Sequence, residues 1–565
     1  MKTNIFCHTL ACAALAVATA TLTGCNDFLD TLPLNDVVLE NFWTQKADVS
    51  SVVNSCYESM ESNDNITRMA FWGELRSDNI VAGASTSYDV SEILKENLLP
   101  NSTYCSWGSM YTCINYCNTV IYYAPGVEKK DPNYTEAEMH ANIAEASALR
   151  DLCYFYLIRT FRDVPYTTKP SIDDQQEYKI PASPFNTVLD SIINDLENVK
   201  DWAVKRYYTD DNSMAYYNSS KITRYAIYAM LADMYLWKGD WDNCIKYCDL
   251  VIDYKKQQYE DMKREGRSVD HLHLFGGIPM LLERTSGSTS SGSAYNANFG
   301  TGNSFESIFE LYFKDNQSVQ NDFVSKYYGS TQNKTGQLAA PDFLRKDVAT
   351  GNNKIFKPKD CRPYEDMSLD NSRYSITKYV LNSVSMNTTN VTSENDLKFS
   401  SGRRSTNYSN WIIYRLSDVI LMKAEAEVMK GGEENLATAF TLINDVNKRA
   451  NNILTKADKD SLVYSEYAGS KMAMENLLFQ ERQREFLFEG KRWFDLVRMA
   501  RRDGNNKRFI SLVTAKYVDN VNAIKIKLAD PNIIYWPYGR QELKVNPYLH
   551  QNPAYGKEDQ QTVIN

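Results

Sequence analysis

The sequence has no excess of basic residues and very few histidines. Lysine and arginine number 62 against 71 aspartates and glutamates, which gives a formal net charge of −9. Because phosphate backbones are bound through a basic face, this balance argues against a nucleic-acid partner. Of the 5 histidines, only His271 and His273 stand close together in the sequence, and no histidine pair stands near the closely spaced cysteines. The chain therefore does not favour a cysteine–histidine zinc site.

Long apolar runs are also absent, apart from one at the start of the chain. Beyond residue 24, no stretch of about 20 apolar residues occurs, so the sequence predicts no membrane-spanning helix. The one apolar run extends from Leu10 to Leu22 and follows Lys2. It is too short to cross a bilayer and fits the core of a signal peptide.

This run ends in the letters LTGC at residues 22–25, which resemble a bacterial lipobox. The sequence thus predicts a lipoprotein signal peptide at residues 1–24 and lipidation of Cys25. Residues 25–35 are predicted to form an extended tether. Anchoring to the membrane would then depend on the lipid alone.

Cysteine is sparse, with 11 residues in all. Some of those that follow Cys25 could pair in an exported protein, but their connectivity stays open. The pairs Cys113/Cys117 and Cys244/Cys248 are spaced i, i+4, which fits metal ligands on one helix face or small core residues. The lack of a nearby histidine pair favours the core. The cysteines that follow Cys25 are Cys56, Cys105, Cys113, Cys117, Cys153, Cys244, Cys248 and Cys361.

Helical periodicity dominates the segments on both sides of the middle of the chain. Helices are predicted from Asn142 to a stop before Pro165, from Phe185 to Val199, and from Trp411 to Met429. The stretch from Arg224 to Ile252 has small and aromatic residues at the spacings of a tetratricopeptide repeat, a two-helix unit of about 34 residues. The predicted fold class is therefore mostly α, with tetratricopeptide-like helix pairs.

Residues 264–405 are irregular and polar by comparison, and they are predicted to form a loop-rich insertion in the helical scaffold. Within it, the stretch Ser286–Asn303 is rich in Ser, Gly and Asn. Tyr295 and Phe299 interrupt this stretch. Aromatic rings in a polar loop can stack on a sugar face or can pin the loop to the protein, and both interpretations stay open.

Glu475–Arg498 combines many charges with aromatic residues. A helix is predicted from Leu477 to Phe488, with Gly490 as its stop. The carboxylates of Glu481, Glu485 and Glu489 repeat at i, i+4, i+8, and they would repel one another unless nearby cations pair with them. The arginines of the same segment are Arg482, Arg484, Arg492 and Arg498.

This segment has two interpretations. Paired carboxylates are the machinery of a glycoside hydrolase, with Glu481 and Glu485 as the pair. Residues i and i+4 on a helix project side by side, however, and not from opposite sides of a substrate. An arginine-satisfied structural network is therefore favoured.

Five separated motifs resemble the SusD/RagB family of outer-membrane nutrient-binding lipoproteins. The first is RSDN at the end of residues 71–79, and the second is the helix after Asn142 with its Val-Pro ending. The third runs from Tyr414 to Ala426, and the fourth is the signature at residues 475–498. The fifth is the proline-containing terminus after Ile534.

The resemblance implies about four tetratricopeptide-like helix pairs in a right-handed superhelical scaffold. It also implies a cell-surface lipoprotein of a Gram-negative outer membrane, acting as a lid over a SusC-like TonB-dependent porin, without catalytic activity. The predicted parts of the mature chain are residues 25–263 and 406–565 for the scaffold and 264–405 for the ligand-facing insertion.

A glycan, as oligo- or polysaccharide, is the expected ligand. The chain has 38 Tyr and 9 Trp, and such rings stack on sugar faces while amide and carboxylate groups bind hydroxyls. The alternatives are a peptide ligand, the Glu481/Glu485 hydrolase, and a scaffold that binds only protein. No cofactor or metal site is predicted. The predicted ligand contacts are Trp72, Asp78, Tyr295, Asn298 and Phe299.

Overall fold

A computed structural model describes residues 42–172, 179–209, 212–283, 292–314, 320–387, 398–451 and 462–556. The predicted signal peptide, the lipidated Cys25 and the tether at 25–35 lie outside these residues. In the part of the chain that is described, every helix is too short or too polar to pass through a lipid bilayer.

Helices make up most of the described structure, as predicted. The α-helices are α1 (Lys46–Met60), α2 (Asn63–Ala70), α3 (Tyr88–Leu94), α4 (Gly108–Glu128), α5 (Glu136–Phe161), α6 (Phe185–Val199), α7 (Tyr217–Ser220), α8 (Arg224–Lys238), α9 (Trp241–Arg264), α10 (Ser293–Tyr295), α11 (Asp342–Arg345), α12 (Arg362–Asp366), α13 (Leu416–Lys430), α14 (Glu433–Asn451), α15 (Lys471–Glu485), α16 (Arg492–Asp503), α17 (Lys507–Val513), α18 (Val521–Leu528) and α19 (Arg540–Val545). Wider π turns occupy Phe71–Leu75, Asn296–Thr301 and Val324–Tyr328, and 3-10 turns occupy Thr103–Cys105, Tyr464–Glu466, Thr514–Lys516 and Pro531–Ile534.

The strands are short and antiparallel, and most lie in the predicted insertion. One sheet has the order β1-β7-β9-β8, and the pairs β2–β3, β4–β5, β6–β12 and β10–β11 stand apart from it. The strands are β1 (Val81–Ala82), β2 (Val164–Pro165), β3 (Ala182–Ser183), β4 (Leu272–Phe275), β5 (Ile278–Leu281), β6 (Ser307–Leu311), β7 (Leu338–Ala340), β8 (Met367–Asp370), β9 (Arg373–Ile376), β10 (Leu381–Asn387), β11 (Lys398–Arg403) and β12 (Trp411–Arg415).

Consecutive helices pack in pairs: α4 on α5, α5 on α6, α8 on α9, and α13 on α14. The α8–α9 turn shows why the chain reverses there. Gly239 ends α8 with a left-handed φ of 82°, which glycine adopts without a steric penalty, and the Asp240 side chain then caps α9 by accepting from the Asn243 N–H. The right-handed superhelical arrangement of the pairs stays a prediction.

One continuous hydrophobic core runs from Trp43 to Leu549 and includes rings of the insertion such as Tyr327 and Tyr379. The insertion is therefore packed onto the scaffold. The eight described cysteines are buried free thiols. Both i, i+4 cysteine pairs have 0% exposure, which is the core placement that was favoured.

Two predicted helices differ from the structure. The stretch Trp411–Met429 is not one helix, because its first five residues form β12 on β6, with Trp411 opposite Leu311. β-branched and aromatic residues at that point favour a strand. The signature helix ends at Glu485, and Phe488 and Gly490 then take left-handed φ values of 64° and 72°. Glu489 therefore does not continue the helical series of Glu481 and Glu485.

Candidate functional site

The Trp72 side chain is buried in the protein interior. It is 0% exposed, and its ring stands edge-on to Phe161 at 5.2 Å between centroids. Its indole N–H donates to the Tyr104 carbonyl at 2.9 Å. The ring has no free face for a sugar in this structure, but it holds the backbone of Tyr104 in place.

The predicted loop contacts are also covered by protein. Tyr295 is 2% exposed and donates from its hydroxyl to the Thr377 carbonyl at 2.8 Å. Phe299 is 7% exposed and stands edge-on to Tyr379 at 5.1 Å. Asn298 accepts a hydrogen bond from the Ser304 hydroxyl at 2.6 Å. Of the two interpretations of this stretch, the structure supports rings that pin the loop.

Asp78 joins the RSDN motif to the C-terminal signature. Its carboxylate accepts from Arg492 Nε at 2.9 Å and Nη2 at 3.0 Å, and from Gln483 Nε2 at 3.0 Å. It is 2% exposed, although it belongs to the wall of an open cleft. The charge of Asp78 is thus already paired with Arg492 inside the protein.

The Glu481 and Glu485 carboxylates are enclosed by cations. Glu485 accepts from Arg415 at 2.6 Å and Arg362 at 2.9 Å, and it also pairs with Arg449. Glu481 accepts from Arg362 at 2.7 Å. Both carboxylates are at most 2% exposed, so a substrate cannot reach them in this structure.

The electrostatics of this pair also argue against a hydrolase. Burial acts to raise the pKa of each carboxyl, but the surrounding guanidinium groups outweigh burial and hold the pKa of both Glu481 and Glu485 below the ordinary range. A glycosidase needs one acid whose raised pKa keeps it protonated. Neither member of this pair keeps a proton at neutral pH, and the structure supports the arginine-satisfied network.

An open cleft of about 890 Å³ lies where the first helices meet the insertion and the C-terminal segment. We call it the polar cleft. Its walls come from residues 63–68, 100–106, 322–327 and 539–542. The exposed side chains along it are Asp64, Asn101, Thr103, Asp322, Lys326, Arg540 and Gln541. They offer amide, hydroxyl, carboxylate and cationic groups, which are the partners that ligand hydroxyls require.

A half-exposed aromatic ring stands in the wall of the polar cleft. This is Tyr104, in the 3-10 turn Thr103–Cys105. Its ring packs on Phe71 at 4.7 Å, and its hydroxyl lies 2.9 Å from the Tyr327 hydroxyl. With its backbone held by Trp72, the ring is fixed before any ligand arrives, which reduces the entropic cost of binding.

The polar cleft also joins the scaffold to the insertion. Asn63 donates to the Asp322 carboxylate at 3.0 Å, and the Asp322 N–H donates back to the Asn63 side chain at 2.9 Å. This reciprocal pair sets the position of the insertion wall relative to α2. The shape of the cleft is therefore part of the folded structure.

A second cleft, of about 1040 Å³, lies between residues 342–355 and the helices α15, α16 and α17. We call it the C-terminal cleft. Charged and amide groups stand at its edge, including Lys346 and Asn352. Its apolar lining consists of Phe343, Ile355, Met472, Phe479, Met499 and Leu512.

Sequence reasoning missed the polar cleft. Tyr104 and Asn101 are close in the sequence, but Asp322 and Arg540 are far from them, and only the fold brings the four together. The one available signal was the aromatic content of residues 104–107 beside the polar residues Asn101 and Ser102. That signal does not distinguish a cleft from a core.

The chain is mostly helical, and its charged signature is enclosed by protein. Its open clefts combine polar groups with aromatic or apolar side chains. These features are typical of a binding protein. Two family models match it: one described as "SusD family" over residues 283–555, and one described as "Starch-binding associating with outer membrane" over residues 27–236. The chain is therefore a SusD-like protein, as its motifs predicted.

Relatives and solved structures agree with this assignment. SusD-like protein P38 of Formosa agariphila is 24% identical, over 96% of this chain and 98% of its own length. SusD-like protein P2 of the same organism is 26% identical, over 85% and 88%. A SusD homolog from Bacteroides thetaiotaomicron has a TM-score of 0.65 at 16% identity, over 91% and 98% of the two chains. NanU of B. fragilis has a TM-score of 0.61 at 18% identity, over 93% and 99%. The mostly helical fold is therefore shared with these structures.

Proposed function

We propose that this protein is a cell-surface lipoprotein that binds a glycan in the polar cleft and passes it to a SusC-like TonB-dependent transporter. The observation that carries the proposal is the fixed, half-exposed Tyr104 ring among exposed hydrogen-bonding groups from separate parts of the chain. Supporting it, one of the matching family models is described as starch-binding and associated with the outer membrane.

The chemistry of the polar cleft suits a polyhydroxylated ligand of low charge. The exposed carboxylates of Asp64 and Asp322 are balanced by Lys326 and Arg540. An aromatic face packs against the C–H groups of a pyranose ring, while amides and hydroxyls exchange hydrogen bonds with its hydroxyls. The cleft volume of about 890 Å³ falls within the range of about 300–1,000 Å³ that is usual for ligand sites.

The first prediction concerns the Tyr104 ring. Tyr104→Ala is expected to weaken glycan retention about tenfold, because it removes the aromatic wall, which is worth on the order of 1.4 kcal/mol if one stacked ring is lost. Tyr104→Phe should keep most of the affinity. The measurement is mobility in native affinity gels cast with soluble starch, xylan or pectin, followed by calorimetric titration with the retained polysaccharide.

Tyr122→Ala is the matched control, because Tyr122 is 60% exposed on α4 and does not line the cleft. It should bind as the wild type does. Full retention of Tyr104→Ala on every gel that retains the wild type would place the ligand elsewhere. A wild-type chain that passes freely through all three gels would count against the glycan proposal itself.

A peptide is the second candidate ligand, and it is favoured by the apolar lining of the C-terminal cleft. Met472 is 50% exposed there, and Phe343 and Leu512 stand near it. Flexible methionine side chains suit varied apolar partners. Saturable binding of a fluorescent peptide mixture that Met472→Glu abolishes and Tyr104→Ala leaves intact would favour this candidate.

A further inference from the structure

Three potential metal ligands converge in the interior of the insertion. They are Glu283, which follows β5, and Cys361 and Glu365, at the start and in the middle of the α12 segment. One ligand atom from each side chain lies within 4.8 Å of those of the other two. Their exposures are 4%, 0% and 3%. Neither the composition nor the cysteine spacing predicted this cluster.

Both carboxylates of the cluster have an oxygen without a partner. Among the described residues, Glu283 Oε2 and Glu365 Oε1 are fully buried and accept no hydrogen bond. Buried carboxylate oxygens are normally paired, because removing them from water without a partner is costly. A cluster that holds two such atoms therefore calls for a positive charge or a proton.

The cations that act on the cluster, Arg362, Lys378 and Arg449, are each already paired with other carboxylates. The ion-paired network around Glu485 joins six carboxylates to five cations, so it has no cation to spare. Glu283 and Glu365 stand beside this network and add two more carboxylates.

The backbone around the cluster is well anchored. The Glu283 carbonyl accepts from the N–H groups of Gly292 and Ser293, each at 3.0 Å. The Glu365 carbonyl accepts from the Thr377 hydroxyl at 2.6 Å. The two segments that carry the ligands are thus each held by another part of the chain, which is the rigidity that a metal site needs.

We infer that Glu283, Cys361 and Glu365 form a buried three-ligand site for a divalent transition-metal cation of the zinc type. A thiolate with two carboxylates suits zinc, whereas calcium and magnesium take oxygen ligands alone. Tetrahedral zinc holds its ligands at about 2.0–2.3 Å, so the ligand atoms would be roughly 3.3–3.8 Å apart. Side chains already within 4.8 Å need only a small closure to reach this geometry. The Cys361 thiol, which now donates to the Ala450 carbonyl at 3.2 Å, would lose its proton on binding.

The test uses the full chain, purified in detergent, stripped with a chelator and titrated with zinc chloride. The wild type is expected to take up about one zinc per chain by mass spectrometry, and its melting temperature should rise with zinc. Cys361→Ala and Glu365→Gln should each weaken zinc binding at least about tenfold and lose the zinc-dependent rise. Cys153→Ala, which removes a buried thiol outside the cluster, should behave as the wild type does.

Glu365→Gln keeps the size of the side chain, so it carries the test if Cys361→Ala does not fold. Equal zinc uptake by the wild type and by Glu365→Gln would place the ion elsewhere and overturn the inference. It would also be overturned by a wild type that takes up no zinc.

Discussion

The ion pairs of Glu485 are made with three arginines from other segments, and not with the arginines of its own helix. Arg362 comes from α12, Arg415 from β12 and Arg449 from α14. The carboxylate is therefore a junction between the insertion and the C-terminal helices. A charge in this position is favourable only while its partners remain in place.

Removing this charge should destabilise the protein. Glu485→Ala is expected to lower the free energy of unfolding by about 3–5 kcal/mol, because three buried guanidinium groups lose a shared partner. The pKa of Glu485 is depressed in the folded state, so its contribution is complete above the ordinary glutamate pKa of about 4.3 and falls as the pH drops. The measurement is the urea midpoint and melting temperature at pH 7.

Glu466→Ala removes an exposed glutamate and serves as the matched control, with an expected change within about 0.5 kcal/mol. Glu485→Ala should also keep its glycan affinity, because Glu485 lines neither cleft. Loss of glycan binding at unchanged stability would make Glu485 a site residue and contradict the structural role.

At the scale of elements, the π turn Phe71–Leu75 packs directly on the turn that follows α15. Glu74 accepts from the backbone N–H groups of Phe488 at 3.3 Å and Lys491 at 3.2 Å. The backbones come close because Gly73 has no side chain. A Cβ at that position would lie 1.8 Å from the Gly490 carbonyl oxygen.

Gly73→Ala should therefore force the two turns apart. The expected loss is about 1–3 kcal/mol or more, the usual cost of overpacking, because the atom in the way belongs to the backbone. The control is Gly126→Ala on an exposed face of α4, where a Cβ meets nothing within 4 Å and helix propensity favours alanine by up to about 1 kcal/mol. Thermal unfolding followed by circular dichroism compares them, and equal melting temperatures would contradict the tight contact.

Elements with one clear periodicity could be predicted from the sequence. The helix Phe185–Val199 has the predicted ends, because its apolar residues repeat along one face. Trp411–Arg415 was misassigned, since its strand exists only through pairing with Ser307–Leu311, about a hundred positions earlier. The residue types of this stretch favour a strand, but local propensity does not show whether a partner strand exists at that distance.

The candidate site was less predictable than the fold. Tyr295 and Phe299 have the polar neighbours of a surface loop, yet their rings fill space against Tyr379 and the Thr377 carbonyl. Tyr104 has similar neighbours in the sequence and remains half exposed. Which ring is covered depends on tertiary packing, and composition does not contain that information.

At the scale of the whole molecule, the insertion and the helical scaffold share one hydrophobic core. The proposed ligand cleft is built from both parts, together with the C-terminal segment. The position of this cleft relative to the membrane would depend on the lipid that is predicted at Cys25. Surface attachment and delivery to the transporter are therefore tested together.

A tagged wild-type chain is expected in the outer-membrane fraction of its bacterium, where it should copurify with a TonB-dependent porin. Cys25→Ala removes the predicted lipid attachment, so the chain should shift to the soluble fraction and recover much less porin. Fractionation followed by mass spectrometry of the captured proteins measures both. A Cys25→Ala chain that stays in the membrane, or a wild type without porin, would contradict the corresponding half of the proposal.

The burial of every described cysteine has a practical consequence for kinetics. All eight thiols are closed to solvent in the folded protein, and they are distributed from α1 to the segment before α12. A thiol reagent such as Ellman's reagent therefore reacts with them only when the surrounding region opens. The labelling rate of each cysteine would therefore report the rate at which its own region opens, without any engineered probe.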